Sequence, residues 1–270
     1  MSASTHSAFV RTEVRSGVLT ICLARAQKHN ALDHQMVAAL AAALVQAEAD
    51  AGVHMVCLRS EGPTFCAGID LKAAAAIEAS GASAGRGDVD QLTGTILRLS
   101  RLSKPVLAVV QGPAFGAGLG LIVACDFVLA TPTASVALTQ VRNGLIPGLV
   151  APLLAEAIGL RAARQLALSG ERADATRALA LGLFSEICQP EQIEARVADL
   201  ILAIRRGAPG ALAATKRLLL PEAQGALDDV RMKAIASSVA AHRASDEARE
   251  GMAAFRDRRL PAWAAKLEGE

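Results

Sequence analysis

Glu61-Gly62-Pro63-Thr64-Phe65-Cys66-Ala67-Gly68-Ile69-Asp70-Leu71 runs from a strand end through a glycine turn into a helical pattern. Further along, Gln111-Gly112-Pro113-Ala114-Phe115-Gly116-Ala117-Gly118-Leu119-Gly120 repeats that order: it follows the β-type run Val106 to Val110 and leads into an apolar helical stretch ending at Cys125 and Asp126. The first backbone N–H groups of a helix have no intrahelical acceptor, so each segment can offer donors to a ligand oxygen. Two such donors meeting on one carbonyl oxygen would stabilise negative charge developing there, and this requires no particular side chain. Taken singly, each cluster reads first as a tight turn and close packing that glycine permits.

Working outward, the runs Val18 to Leu23, Met55 to Leu58 and Val106 to Val110 are each followed by turn residues and then by helical periodicity. This alternation predicts an α/β fold built from parallel units. Asp33 is placed to cap a helix carrying Met36, Val37, Leu40, Leu44 and Val45 toward the sheet. The low-complexity stretch Ala79 to Gly87 reads as a loop between Ala-rich helices. Beyond Ile193 the strand signal gives way to helical segments, so the chain divides into a core over 1–204 and a helical region over 205–270.

A chain of 270 residues with 52% hydrophobic content can bury a sizeable core. Its 28 Lys and Arg against 26 Asp and Glu leave a net charge of +2, which excludes a broad field for nucleic acid or an anionic membrane. Cys22, Cys57, Cys66, Cys125 and Cys188 are scattered, with no Cys-x-x-Cys pair; they read as reduced thiols of a cytoplasmic protein, and no metal is expected. The beginning Met-Ser-Ala-Ser-Thr-His has neither the basic nor the apolar run of a secretory signal. The apolar stretch from Gln111 to Asp126 is too short for a bilayer of roughly 30 Å. A dinucleotide fingerprint fails because Leu121 stands where its last glycine belongs.

Three segments in order, Phe65 to Leu71, Gly116-Ala117-Gly118 with Ala124-Cys125-Asp126, and Gly144-Leu145-Ile146-Pro147-Gly148, resemble the successive signatures of the crotonase (enoyl-CoA hydratase/isomerase) superfamily. The likeness extends to Leu23-Ala24-Arg25-Ala26-Gln27-Lys28-His29-Asn30-Ala31-Leu32 and to Glu250-Gly251-Met252-Ala253-Ala254-Phe255. It implies a spiral of ββα turns with a C-terminal helical region that assembles homotrimers or hexamers. It implies an acyl-CoA or enoyl-CoA thioester as ligand, with coenzyme A entering as part of the substrate and no further cofactor. By position, the N–H groups of Ile69 and Ala117 would form the oxyanion hole and the Ala67 carbonyl would receive the adenine amino group. Arg25 and Lys28 would approach the nucleotide, and Phe255 and Arg258 would belong to the segment that reaches coenzyme A from a neighbouring subunit.

Relatives in this superfamily generally carry two catalytic glutamates, and those positions read Gly120 and Gln140 here. An amide orients water but does not accept a proton, a role that contributes typically ~10²- to 10⁴-fold in rate. Gly148 stands where some relatives carry an aspartate. Glu78, Asp88 and Asp90 are either substitute bases or solvated charges, and Asp70 and Asp126 read as caps. His6, His29, His34, His54 and His242 show no ligand spacing, and Cys66 reads as a packing residue. The expectation is an enzyme of the hydratase (lyase) or isomerase type that stabilises a thioester enolate. The alternatives are an acyl-CoA-binding protein without turnover, or another reaction of the superfamily such as decarboxylation or thioester hydrolysis.

Overall fold

The computed structural model describes residues 9–148, 150–220 and 228–265. These fall into two compact units, one within the spans 1–102 and 106–197, the other within 103–105 and 198–270.

In the first unit, β1 (Val10–Arg15) and β2 (Val18–Leu23) form an antiparallel hairpin. Its turn holds Ser16 and Gly17 both at positive φ, the conformation a two-residue hairpin needs. The chain continues through α1 (His34–Ala49), β3 (Met55–Ser60), α2 (Leu71–Ala79), α3 (Ala82–Arg101), β4 (Val106–Val110), β5 (Pro113–Phe115) and α4 (Ala117–Val123). Then come β6 (Phe127–Ala130), β7 (Ser135–Ala137), α5 (Val150–Ile158), α6 (Leu160–Ser169), β8 (Arg172–Asp174), α7 (Ala175–Ala180) and β9 (Glu186–Ile187), followed by α8 (Ile193–Arg205).

Six strands make one sheet in the order β1-β2-β3-β4-β6-β9, parallel from β2 onward. All five residues of β4 are buried, as a central parallel strand covered on both faces requires. A second sheet pairs β5 with β7 in parallel and β7 with β8 antiparallel. The predicted cap is present: the Asp33 carboxylate accepts from the Met36 N–H at 2.9 Å, and Met36, Val37, Leu40 and Leu44 are buried on the inner face of α1. Val45 instead lies on the flank, 49% exposed.

One expectation needs correction. The stretch 79–87 is not a loop, because α3 begins at Ala82 and only Ser80 and Gly81 separate it from α2. Gly81, at φ +118, turns the chain between the two helices, and the Ala, Ser and Arg residues after it continue into α3.

Within the second unit lie α9 (Pro209–Leu219), α10 (Asp229–Arg243), α11 (Asp246–Arg256) and α12 (Ala262–Ala265). The Glu247 carboxylate of α11 accepts from the Gly210 and Ala211 N–H groups and thereby caps α9. Glu250 binds both Arg259 nitrogens and the Ala262 N–H, which fixes the turn into α12. Among the described residues no helix is long and apolar enough to cross a membrane.

Candidate active site

Because β2, β3 and β4 are parallel neighbours, the loops that leave them emerge at one end of the sheet, the end where open α/β folds take their ligands. Those loops are 24–33, 61–70 and 111–116. They join edge to edge as short parallel pairings: Leu32 with Ile69, and Cys66 with Ala114. β5 then pairs with β7, so Phe115 lies opposite Ala137 and the chain after β7 leaves beside Gly116.

Glycine makes this contact possible at two backbone crossings. A β-carbon on Gly112 would stand 1.9 Å from the Pro63 carbonyl oxygen, and one on Gly118 would stand 2.3 Å from the Cys66 carbonyl oxygen. Gly68 adds a conformational demand. It sits at φ +95, and its missing β-carbon would lie 2.9 Å from the Phe115 carbonyl oxygen and 3.5 Å from the Ala117 nitrogen.

That geometry aims two donors. The Gly68 carbonyl accepts from the Leu32 N–H at 2.7 Å. In a trans peptide the C=O and the following N–H point in opposite directions, so the Ile69 N–H is turned away from Leu32. Likewise the Gly116 carbonyl accepts from Gly120 inside α4, which turns the Ala117 N–H outward from the helix start. Neither the Ile69 nor the Ala117 N–H has an acceptor among the described residues. The two turns lie close together, the Ala117 nitrogen standing 3.5 Å from the missing β-carbon of Gly68.

Gln140 opens the short 3₁₀ turn after β7. Its amide nitrogen lies 3.1 Å from where a β-carbon on Gly116 would be, so the side chain abuts the same turn. Its Oε1 is buried and has no hydrogen-bond partner, a property shared among the described side chains only with Gln91 Oε1. Position 120 is different: a β-carbon there would meet Val150 Cγ2 at 2.9 Å and Ile96 Cδ1 at 3.1 Å. Aliphatic groups already fill the space into which a side chain would project. Gly148 lies at the exposed start of α5 with nothing within 4 Å of its missing β-carbon.

The sequence profile of the enoyl-CoA hydratase/isomerase family matches residues 13–266. The chain belongs to this family. It is 30% identical over 269 residues to a carnitinyl-CoA dehydratase of Proteus mirabilis, covering 97% of this chain and 99% of that one. Among solved structures, an enoyl-CoA hydratase from Shewanella pealeana superposes with a TM-score of 0.90 at 31% identity, covering 94% of this chain and 96% of its own. Pseudomonas aeruginosa AtuE superposes with a TM-score of 0.90 at 34% identity, covering 94% and 99%. The two-sheet α/β architecture described above is thus the crotonase fold.

Within this enoyl-CoA hydratase/isomerase-family chain, the residues expected to meet coenzyme A separate into different environments. Lys28 is exposed and has no carboxylate partner among the described residues. The Ala67 carbonyl likewise accepts no hydrogen bond among them. The Arg25 side chain is 12% exposed and held within the chain, with Nη1 donating to Asp70 Oδ2 at 2.9 Å and to the Ala31 carbonyl at 2.8 Å. Its Nη2 lies 3.1 Å from Asp33 Oδ2, and the Phe9 ring covers it at 5.8 Å. In the second unit Phe255 is 88% exposed, and Arg258 is exposed at positive φ just beyond α11.

The titratable groups near the turns are committed elsewhere. Asp70 caps α2 through the Lys72 and Ala73 N–H groups. Burial opposes its ionisation, but the Ala73 N–H and the Arg25 guanidinium outweigh that and hold its pKa below the ordinary value. Asp126 accepts from the Val106 N–H and fixes the start of β4. The Cys66 thiol donates to the Asn30 carbonyl, and complete burial pushes its pKa up to about 12, so it offers no thiolate. Asp88 pairs with His34 at 3.6 Å and Asp90 with Arg86 at 3.8 Å. The Glu78 side chain lies outside those described. No cluster of three or more His, Cys, Asp or Glu suited to a metal occurs among the described residues.

Two positioning residues escape a reading of the sequence as loops. Asn30, fully buried at φ +53, accepts from the Arg25 N–H and donates to the Glu61 and Thr64 carbonyls. Gln111 donates to Ser60 and to the Gly62 carbonyl. A left-handed Asn before an apolar run is the one local signal that could have flagged Asn30.

Proposed function

We propose that this protein binds an acyl-CoA or enoyl-CoA thioester with the carbonyl oxygen between the Ile69 and Ala117 N–H groups, and that these donors stabilise its enolate. The observation that carries the reading is that pair of backbone donors, close together and without acceptors among the described residues. Donors fixed before reaction need no reorganisation as charge develops, which is why removal of one typically costs ~10²- to 10³-fold in rate. Gln140 would hold water or a substrate hydroxyl through its buried Oε1. Lys28 would meet a phosphate, the Ala67 carbonyl would take the adenine amino group, and Phe255 and Arg258 would serve a neighbouring subunit in a homotrimer or hexamer. The cytoplasm is the compartment this reading assigns.

Position 120 favours a second reading alongside it. With Val150 and Ile96 filling that space, the reaction would be one that needs enolate stabilisation without a carboxylate at this site, such as decarboxylation or thioester hydrolysis; binding without turnover is the limiting case.

A push–pull chromophore, an aminocinnamoyl thioester of coenzyme A, tests the central claim without knowledge of the natural substrate. Its absorption moves to longer wavelength when its carbonyl oxygen accepts hydrogen bonds. The wild-type protein is expected to shift it, and Ala117→Pro, which removes one N–H at a helix position that tolerates proline, to abolish the shift with the fold intact. An unshifted spectrum at saturation in the wild type would end the proposal. In parallel, crotonyl-CoA and longer or branched enoyl-CoAs assayed for both binding and product separate turnover from storage.

A further inference from the structure

The first donor of the proposed hole sits on a peptide whose direction is set by one hydrogen bond, from the Leu32 N–H to the Gly68 carbonyl. What holds Leu32 therefore decides where the Ile69 N–H points. Leu32 is flanked by Ala31, whose carbonyl accepts from Arg25 Nη1, and by Asp33, whose Oδ2 lies against Arg25 Nη2. On the other side of the pairing, Asp70 donates its own N–H to the Leu32 carbonyl at 2.8 Å and places Oδ2 on Arg25 Nη1. One guanidinium thus ties both edges of the Leu32–Ile69 pairing together. The same two carboxylates cap helices: Asp33 caps α1 through the Met36 N–H, and Asp70 caps α2. Two like charges gathered at two helix starts need a cation between them, and the planar fork of arginine can serve both carboxylates where an ammonium serves one point.

Resting on the enolate-stabilising reading above, we propose that Arg25 is a positioning residue: bridging the Asp33 and Asp70 caps, it locks the Leu32–Gly68 hydrogen bond that aims the Ile69 N–H at the thioester carbonyl. Its charge is then spent inside the loop and contributes little to holding the coenzyme A phosphates, a duty left to exposed cations such as Lys28.

Two substitutions separate these roles. Arg25→Lys keeps the charge but cannot fork between both carboxylates; Asp70→Asn keeps an oxygen to cap α2 but breaks the ion pair and cannot weaken phosphate binding by losing a cation. Each folded variant, checked by circular dichroism and melting temperature, would be titrated with free coenzyme A and then with the aminocinnamoyl thioester. The expected result is coenzyme A affinity near that of the wild type, with the red shift of the saturated complex largely lost. On any substrate that turns over, kcat should fall roughly 10- to 100-fold with KM little changed, the scale of a donor misplaced by about an ångström. A full red shift in both variants would overturn the proposal, and so would coenzyme A affinity that falls in Arg25→Lys, since that marks a nucleotide-binding cation. If the wild type itself gives no shift while the variants bind coenzyme A normally, the failure belongs to the enolate reading and not to Arg25.

Discussion

Positions 120 and 140, to which the family resemblance assigns the two catalytic glutamates, sit in opposite surroundings. At 120 there is no room: Val150 and Ile96 occupy the space, and even a β-carbon would press on both. At 140 the side chain remains polar, abuts Gly116 and keeps a buried oxygen without a partner. One position is packed as core, while the other carries a hydrogen-bonding group beside the Gly116 turn.

The sharpest way to break this contrast is to restore each carboxylate separately. Gln140→Glu is nearly isosteric and puts a proton acceptor against the Gly116 turn, where burial raises its pKa toward a useful range. Hydration of crotonyl-CoA is expected to rise by about 10²-fold or more over the unmodified protein. Gly120→Glu should give no such gain and should lose stability by roughly 1–3 kcal/mol from overpacking, before the cost of burying the charge. If Gln140→Glu folds normally and remains inactive, the missing base at 140 is not what limits hydration.

Next in size is the difference between glycines at backbone crossings and glycines in open space. Gly118→Ala drives a β-carbon into the Cys66 carbonyl, so thermal unfolding should fall by several degrees, consistent with a loss of about 1–3 kcal/mol. Gly148→Ala meets nothing within 4 Å, and its melting temperature should stay within the scatter of surface substitutions, roughly ±0.5 kcal/mol. Equal losses at the two sites would mean that the close approach of the two glycine turns does not hold the site together.

Much of this architecture could be read from the chain, because its signals were local. The β-branched runs at Val18, Met55 and Val106 became β2, β3 and β4, and Asp33 capped α1 as its position before an apolar periodic segment implied. The Gly68 and Gly116 turns were legible for the same reason: each follows a strand and precedes a helix. What escaped was decided at long range. Arg25 looked like a loop cation because one of the two carboxylates that engage it, Asp70, lies 45 residues away, and Asp33 reads as a helix cap. Gly120 looked like a simple deletion because Ile96 and Val150, which fill its space, come from α3 and α5. The helical start of α3 was hidden by low complexity, which marks composition and not conformation.

Acid titration separates the two capping carboxylates from ordinary surface charges. Asp70 has a folded pKa below its unfolded one, so its contribution is complete above the unfolded value and is lost as pH falls toward the folded one. Glu250 behaves alike on a wider scale: hydrogen bonds from Arg259 first, then the Ala262 N–H, lower its pKa from 4.5 to about 2. Its stabilisation should therefore be full above about pH 4.5 and disappear progressively down to about 2. Glu250→Gln should flatten the acid limb of stability over that window in urea unfolding followed as a function of pH. An unchanged acid limb would show that the Arg259 and Ala262 contacts do not persist in solution.

The smallest effect is expected at Lys28, and its size is informative because Arg25 is only three residues away. Lys28 is exposed and without a carboxylate partner among the described residues, whereas Arg25 is enclosed by Asp33, Asp70 and Phe9. A single solvated cation contributes roughly 0–1 kcal/mol to an ion pair, so Lys28→Ala should weaken coenzyme A binding by no more than about fivefold. That loss should shrink as salt approaches and exceeds about 0.15 M, where the screening length is about 8 Å. kcat on a reactive thioester should not move, since Lys28 joins the loop only through its backbone, which donates to the Arg25 carbonyl and accepts from the Ala31 N–H, and alanine keeps both bonds. Taken with Arg25→Lys, this gives a crossed pattern: one substitution changes salt-sensitive affinity and spares the chemistry, the other spares affinity and changes the chemistry. If Lys28→Ala were instead to lower kcat, the loop after β2 would act as one unit, and the division between a binding cation and a positioning cation would have to be abandoned.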